Sequence, residues 1–226
     1  MKPFVIHKRF DFSDEEISSF KEALIATLSE KRSEIERDLI IRRRHILGIR
    51  GYDYSSPANH AFNSPVLDDE MREILNWHFN NDEAAGLLSI PLTLVDNLDR
   101  FPFISQVFEG IPIEMVRILI ISSWGRVMPH ADIGARKMVI NFPIDNCWDS
   151  ETGFFILNRE ITHRILYRDD EVERIATLKY EPKTSYILNT ALPHDVVVTS
   201  GGERIMLSCG IFGNPNFSDI QAHLTS

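Results

Sequence analysis

Apolar residues at Ile17, Phe20, Leu24, Leu28, Ile35 and Leu39 recur mostly three or four positions apart. That spacing gathers them on one stripe of a helix and leaves Glu and Lys on the other side. Ser13-Asp14-Glu15-Glu16 stands just before the stripe and reads as a capping box that opens the helix. A second helix is predicted after Ser64-Pro65, with Asp68, Asp69 and Glu70 at its positive end and Met71, Ile74, Leu75 and Phe79 facing inward. Between the two, Gly51-Tyr52-Asp53-Tyr54-Ser55-Ser56-Pro57 is a loop by composition.

From about residue 112 the periodicity changes. Short apolar runs at 113–122, 137–143, 153–157, 161–167, 174–180, 184–188, 195–199 and 204–212 predict strands. Turn-like breaks separate them at Asp149-Ser150, Asp169-Asp170, Glu181-Pro182 and Ser200-Gly201-Gly202. Many short strands at close spacing point to a sandwich or barrel, a jelly roll among the choices. No composition shift marks a linker. The expectation is one domain over 1–226: a mostly helical front over 1–110 buttressing a β core over 112–213, mainly β with flanking helices.

Composition adds limits. The chain has 226 residues, 43% of them hydrophobic and 25% charged, enough to bury a real core. Its two cysteines, Cys147 and Cys209, form no CxxC pair, so two buried thiols in a reducing cytoplasm are expected rather than a disulfide or zinc site. A formal net charge of −9 argues against nucleic acid as a partner. The basic run Arg42-Arg43-Arg44 is short and follows an acidic helix, which suits a solvated face. No apolar stretch approaches the roughly 18 residues of a membrane span, and the N-terminus shows no secretory pattern. A soluble, cytoplasmic protein is therefore expected.

The chemistry concentrates in Pro129-His130-Ala131-Asp132. Side chains two apart on a strand share a face, so His130 and Asp132 can offer a nitrogen and an oxygen to one metal. Two histidines and one carboxylate on one face of an octahedron leave positions open, which suits Fe(II) that must take a chelating co-acid and O2. Of the eight histidines, His7, His45, His60, His78, His163 and His223 lack matching context and read as surface or core filler. His194 follows Leu192-Pro193 at the start of a predicted strand, and Arg204 lies ten residues further on. A guanidinium there can grip a carboxylate bidentately and stay charged when buried.

The order HxD, distant His, then Arg resembles the 2-oxoglutarate/Fe(II) oxygenases. Gly125-Arg126-Val127-Met128-Pro129-His130-Ala131-Asp132, then Arg136-Lys137 opening an apolar strand, is similar to the aspartyl/asparaginyl β-hydroxylases and the bacterial cis-proline hydroxylases. So is Leu188-Asn189-Thr190-Ala191-Leu192-Pro193-His194. The resemblance spans about residues 115–212. It implies a double-stranded β-helix of the cupin-like kind, iron on His130, Asp132 and His194, and 2-oxoglutarate on Arg204. It further implies hydroxylation of an unactivated C–H of an amino acid or aminoacyl residue. Asp132 places the chain nearer the bacterial amino-acid hydroxylases than the animal enzymes, which can lack that ligand, and argues against halogenation.

One consequence is geometric. A plain hairpin turning at Gly201-Gly202 pairs Arg204 with Thr199, an odd number of residues from His194, and points the two side chains to opposite faces. If both serve one site, the chain at Ser200-Gly201-Gly202 must cross between facing sheets or carry a bulge or odd-length turn. By similarity, Arg136 or Lys137 adds positive charge near the co-substrate or a substrate carboxylate. Strand alternation lets only one face in, Lys137 with Val139 and Asn141, or Arg136 with Met138 and Ile140. Asn141 can bond the co-acid if its face is the inner one. Trp124, Trp148 and Phe142 suit core better than a substrate platform, though Trp148 is kept as a substrate candidate. Arg50, Tyr52, Asn59 and His60 lie in a loop that can close over the site. Two rival readings remain: a cupin-like metalloenzyme without 2-oxoglutarate, and a jelly-roll binding module with no activity.

Overall fold

The computed structural model describes residues 2–46, 69–132, 134–161, 165–213, 217 and 220. Among the described residues ten strands form two antiparallel sheets. They are β1 (Phe4–Arg9), β2 (Leu88–Pro91), β3 (Ile113–Ile121), β4 (Arg126–His130), β5 (Met138–Asp145), β6 (Ser150–Leu157), β7 (Val172–Lys179), β8 (Thr184–Asn189), β9 (His194–Val198) and β10 (Arg204–Ile211). The larger sheet runs β1-β8-β5-β10-β3-β2 and the smaller β4-β9-β6-β7. This is a jelly roll. The helices whose bounds fall among the described residues are α1 (Asp14–Ile46), α2 (Asp69–Ala84) and α3 (Pro102–Val107).

The capping box forms as the sequence predicts. Ser13 N–H donates to Glu16 Oε2 at 3.1 Å and Glu16 N–H donates to Ser13 Oγ at 3.2 Å. Phe20, Leu24 and Leu28 of α1 then lie in one apolar cluster with Phe103, Ile104 and Val107 of α3 and one face of the large sheet. Along β10, Ile205, Leu207, Cys209 and Ile211 join that cluster, whereas Met206 packs into the core between the sheets. Along β5, Met138, Ile140 and Phe142 face the helices, while Val139 and Asn141 face inward. Both faces of this sheet are thus covered, which is why its central strands read as near-continuous apolar runs. Cys147 and Cys209 are free and buried, and burial pushes their thiols up to about 11 and about 12.

Three expectations need correction. The helical front also supplies β1 and β2, which cap the two edges of the large sheet. β2 is only four residues long and ends in Pro91, a residue that sheets tolerate at their edges, so it lacks a strand-like signature. The strand predicted over 161–167 is absent from the described part of that segment, where only an isolated bridge joins Leu166 to His130. Trp124 is no core residue: it is 70% exposed at φ +60 in the turn between β3 and β4.

Phe142 is fully buried, with its ring 5.8 Å from Phe10 and 6.3 Å from Phe103. Phe142→Ala should destabilise the fold by about 3–5 kcal/mol through lost burial and a residual cavity. Equilibrium denaturant unfolding checks this, and a loss under 1 kcal/mol would contradict the two-layer packing.

Candidate metal centre and its cavity

Antiparallel pairing of β4 with β9 sets His130 opposite His194, with ring centroids 4.3 Å apart. Asp132 follows two residues beyond His130, just past the strand end. Its position is fixed by Asp132 N–H donating to Thr190 O at 2.8 Å and Ala131 N–H donating to Ile165 O at 2.7 Å. One ligand-type atom from each of His130, Asp132 and His194 lies within 4.8 Å of the others. This is the one group of this kind among the described residues.

Both imidazoles are prepared in the same way. His130 Nδ1 is 2.9 Å from Met128 O, and His194 Nδ1 is 3.0 Å from Leu192 O. A carbonyl oxygen only accepts, so each Nδ1 carries a proton, and in a neutral ring the lone pair is then on Nε2. Burial, and next the neighbouring His130, pull the His194 pKa down to about 4, so its ring stays neutral near pH 7. Neutral imidazoles, a carboxylate and open space suit a divalent transition metal.

The three groups line a cavity of about 190 Å³ between the sheets, shared with Arg136, Asn141 and Arg204. The crossing required by the spacing of His194 and Arg204 is present. β9 belongs to the small sheet and β10 to the large one, so residues 199–203 pass between facing sheets and both side chains reach the same cavity. Arg204 is 2% exposed. Its Nε donates to Ser150 Oγ at 3.1 Å and its guanidinium lies 5.4 Å from the centre of the Tyr180 ring. No carboxylate among the described residues pairs with it, an expensive state for a buried charge.

Three buried polar atoms on this wall also lack hydrogen-bond partners: Asp132 Oδ2, Arg136 Nη1 and Asn141 Oδ1. Asp132 Oδ2 has Arg136 Nε at 3.4 Å as an ion-pair neighbour. Each unmet buried group costs about 1–3 kcal/mol, so a cavity that collects several is shaped for a polar occupant. Asn141 Nδ2 donates to the Tyr180 hydroxyl at 3.3 Å, and that hydroxyl lies 3.3 Å from Thr152 Oγ1. Ser150, Thr152 and Tyr180 therefore belong to the polar end. The sequence reading missed them, since nothing in their spacing ties them to Arg204.

The choice between Arg136 and Lys137 falls to Arg136, against the parity argument. Val139 and Asn141 do face the cavity, but Gly134–Lys137 is a 3-10 turn and strand alternation begins only at Met138. Lys137 is exposed and lies outside the described lining of the cavity. Trp148 is 39% exposed and lines a separate surface groove with Ile17, Lys21 and Lys183, outside the described lining of this cavity. Arg50, Tyr52, Asn59 and His60 lie outside the described residues.

No protein-family model matches the chain. No curated protein matches it either. Among solved structures, Escherichia coli YcfD is 18% identical over 55% of this chain and 31% of its own, with a TM-score of 0.32. The E. coli ribosomal oxygenase YcfD with cobalt and 2-oxoglutarate gives 17% identity and a TM-score of 0.31 over 55% and 29%. Vicilin from Corylus avellana gives 10% identity and a TM-score of 0.32 over 55% and 28%. The chain thus spans less than a third of each of these structures.

His194 titrates near 4 when folded, against an ordinary value of 6.5. Its neutral form is favoured by folding, so its contribution is complete above 6.5 and is lost as pH falls toward 4. Metal-free protein should lose about 2 kcal/mol from this group between pH 7 and pH 5. His194→Gln should flatten that part of the profile in denaturant titrations. Parallel profiles for the two proteins would show that the ring is open to protons in the folded state.

Proposed function

We propose that the protein is an Fe(II)- and 2-oxoglutarate-dependent dioxygenase that hydroxylates an unactivated C–H of an amino acid or aminoacyl residue. The observation that carries this reading is the buried Arg204 guanidinium, without a carboxylate partner among the described residues, on the wall of the cavity that also holds His130, Asp132 and His194. Nearly enclosed positive charge beside a three-ligand cluster suits a co-substrate that binds metal at one end and carries a carboxylate at the other.

In this reading His130 Nε2, His194 Nε2 and a carboxylate oxygen of Asp132 hold the iron. Carbonyls of Met128 and Leu192 fix the tautomers and ring planes, which keeps both lone pairs aimed without rearrangement. Arg204 takes the far carboxylate of 2-oxoglutarate, aimed by Ser150 Oγ and supported on the Tyr180 ring. Asn141 offers the same ligand a further polar contact from β5. Iron and 2-oxoglutarate, when bound with O2, supply the oxidising power for the hydroxylation, with succinate and CO2 released. Leu119, Ile121, Val127 and Val196 give the cavity an apolar wall, a setting that strengthens the charge interactions within it. Two buried thiols suit a reducing compartment such as the cytoplasm. No helix among the described residues is long and apolar enough to cross a membrane.

Anaerobic titration with Fe(II) and 2-oxoglutarate tests the assignment through the visible metal-to-ligand charge-transfer band. Wild type should show the band and His194→Ala should abolish it. Arg204→Met, which keeps bulk, should weaken 2-oxoglutarate binding about tenfold or more while iron still binds. A folded, iron-loaded wild type without the band would overturn the reading. It would then favour a cupin-like metalloenzyme without this co-substrate; failure to bind iron at all would favour a binding module.

A further inference from the structure

His130 reaches the cavity only because β4 carries an extra residue. Val127 lies opposite Val196 and His130 opposite His194, so β4 advances three positions while β9 advances two. Residues three apart on a regular strand point to opposite faces, yet Val127 and His130 both line the cavity. Met128 and Pro129 together stand opposite Asp195, which is the signature of a β-bulge. Pro129 suits that place because it has no N–H to leave unpaired. The bulge also supplies Met128 O, the acceptor for His130 Nδ1 at 2.9 Å. Were the extra residue to move past His130, the imidazole would turn to the outer face and away from His194.

Side chains on the outer face hold the bulge where it is. Arg126 stands immediately before Val127 and therefore points outward. Its Nη2 donates to Asp195 Oδ2 at 3.0 Å, and the buried Asp195 lies opposite the bulge. Its Nη1 and Nη2 also donate to Asp169 Oδ2 and Oδ1 at 3.0 Å and 2.6 Å. Asp169 follows the segment that borders the other side of the bulge. There Tyr167 N–H donates to Pro129 O at 3.0 Å and Leu166 bridges to His130. One guanidinium thus spans the bulge and fastens it on both sides. Resting on the metal-holding half of the proposed function, and not on its co-substrate, we infer that Arg126 is a positioning residue: it fixes the bulge that turns His130 toward His194. The Arg126 side chain is 35% exposed, and ion pairs at such sites add little to global stability. Its loss should therefore tell on the metal centre before it tells on the fold.

Titration of metal-free protein with Co(II) tests this. The visible bands of Co(II) report ligand number and geometry, and competition with a fluorescent chelator gives the affinity. Arg126→Met should bind Co(II) about tenfold or more weakly than wild type. Arg126→Lys, which keeps the positive charge, should restore part of the loss. Arg174→Met removes an ion pair of 3.1 Å from the same Asp195 carboxylate, but from the β7 side, and should bind close to wild type. Circular dichroism and denaturant unfolding report whether each variant is folded. A second readout needs no metal. Proton–nitrogen correlation spectra at about pH 8, above the ordinary imidazole value, report the tautomer of each ring. Wild type should show Nδ1–H on both His130 and His194, and Arg126→Met should mix the His130 tautomers and leave His194 as it was. Equal losses in Arg126→Met and Arg174→Met, or an Arg126→Met protein that does not fold, would show general support of the sheet and overturn the inference. Wild-type affinity or an unchanged His130 ring in Arg126→Met would do the same. A wild type that binds no Co(II) is the separate failure of the metal reading, and the His130 spectrum then decides the role of Arg126.

Discussion

The pairing of β4 with β9 governs the rest of the site, because it sets His130 directly across from His194. In an antiparallel sheet a slip of one residue reverses every side chain, so this register must be held firmly. The outer face of β9 holds it. Asp195, next to His194 and therefore on the opposite face, is fully buried and lies 3.0 Å from Arg126 on β4 and 3.1 Å from Arg174 on β7. Gly153 of β6 donates its N–H to Asp195 Oδ1 at 3.1 Å. A side chain at Gly153 would place its Cβ 2.5 Å from that oxygen, so glycine is what lets the carboxylate settle against the strand. One carboxylate thereby ties together all four strands of the small sheet. Buried ion pairs are poor sources of net stability, but this one specifies which residues face inward.

The large sheet contributes the opposite property, an apolar wall that raises the strength of every charge it encloses. Its inward positions are apolar except at a few sites, and those sites carry the polar groups of the cavity: Asn141 on β5 and Arg204 on β10. A guanidinium at 2% exposure is stable only with a partner, which here is a hydroxyl, an aromatic face and a space suited to an anion. The fold tolerates an electrostatic cost at one end of the cavity.

Much of this was legible along the chain. The four central strands of the large sheet, β8, β5, β10 and β3, and the capped first helix announce themselves by periodicity, because burial and helix geometry each impose a repeat on the residues. The HxD segment, His194 and Arg204 were identifiable by type and spacing. Their parity even required a crossing between sheets, which the passage from β9 to β10 supplies. What periodicity could not show are elements too short to repeat. β2 ends in a proline, and the segment around Leu166 makes a single bridge rather than a ladder.

The sequence by itself determined the alternation of core and cavity faces and the residue types able to bind a metal and an acid. Only the tertiary structure decided which basic residue reaches the cavity. Alternation favours Lys137, yet the 3-10 turn over Gly134–Lys137 delays the start of β5, exposes Lys137 and brings Arg136 to the cavity beside Asp132. It also separates Trp148 from the cavity and brings Ser150 and Thr152 of β6 and Tyr180, just past β7, to one polar end. Local pattern is written by neighbours one to four residues apart, whereas a site assembled from β4, β5, β6, β9 and β10 depends on contacts between residues scores of positions apart, which no short-range repeat records.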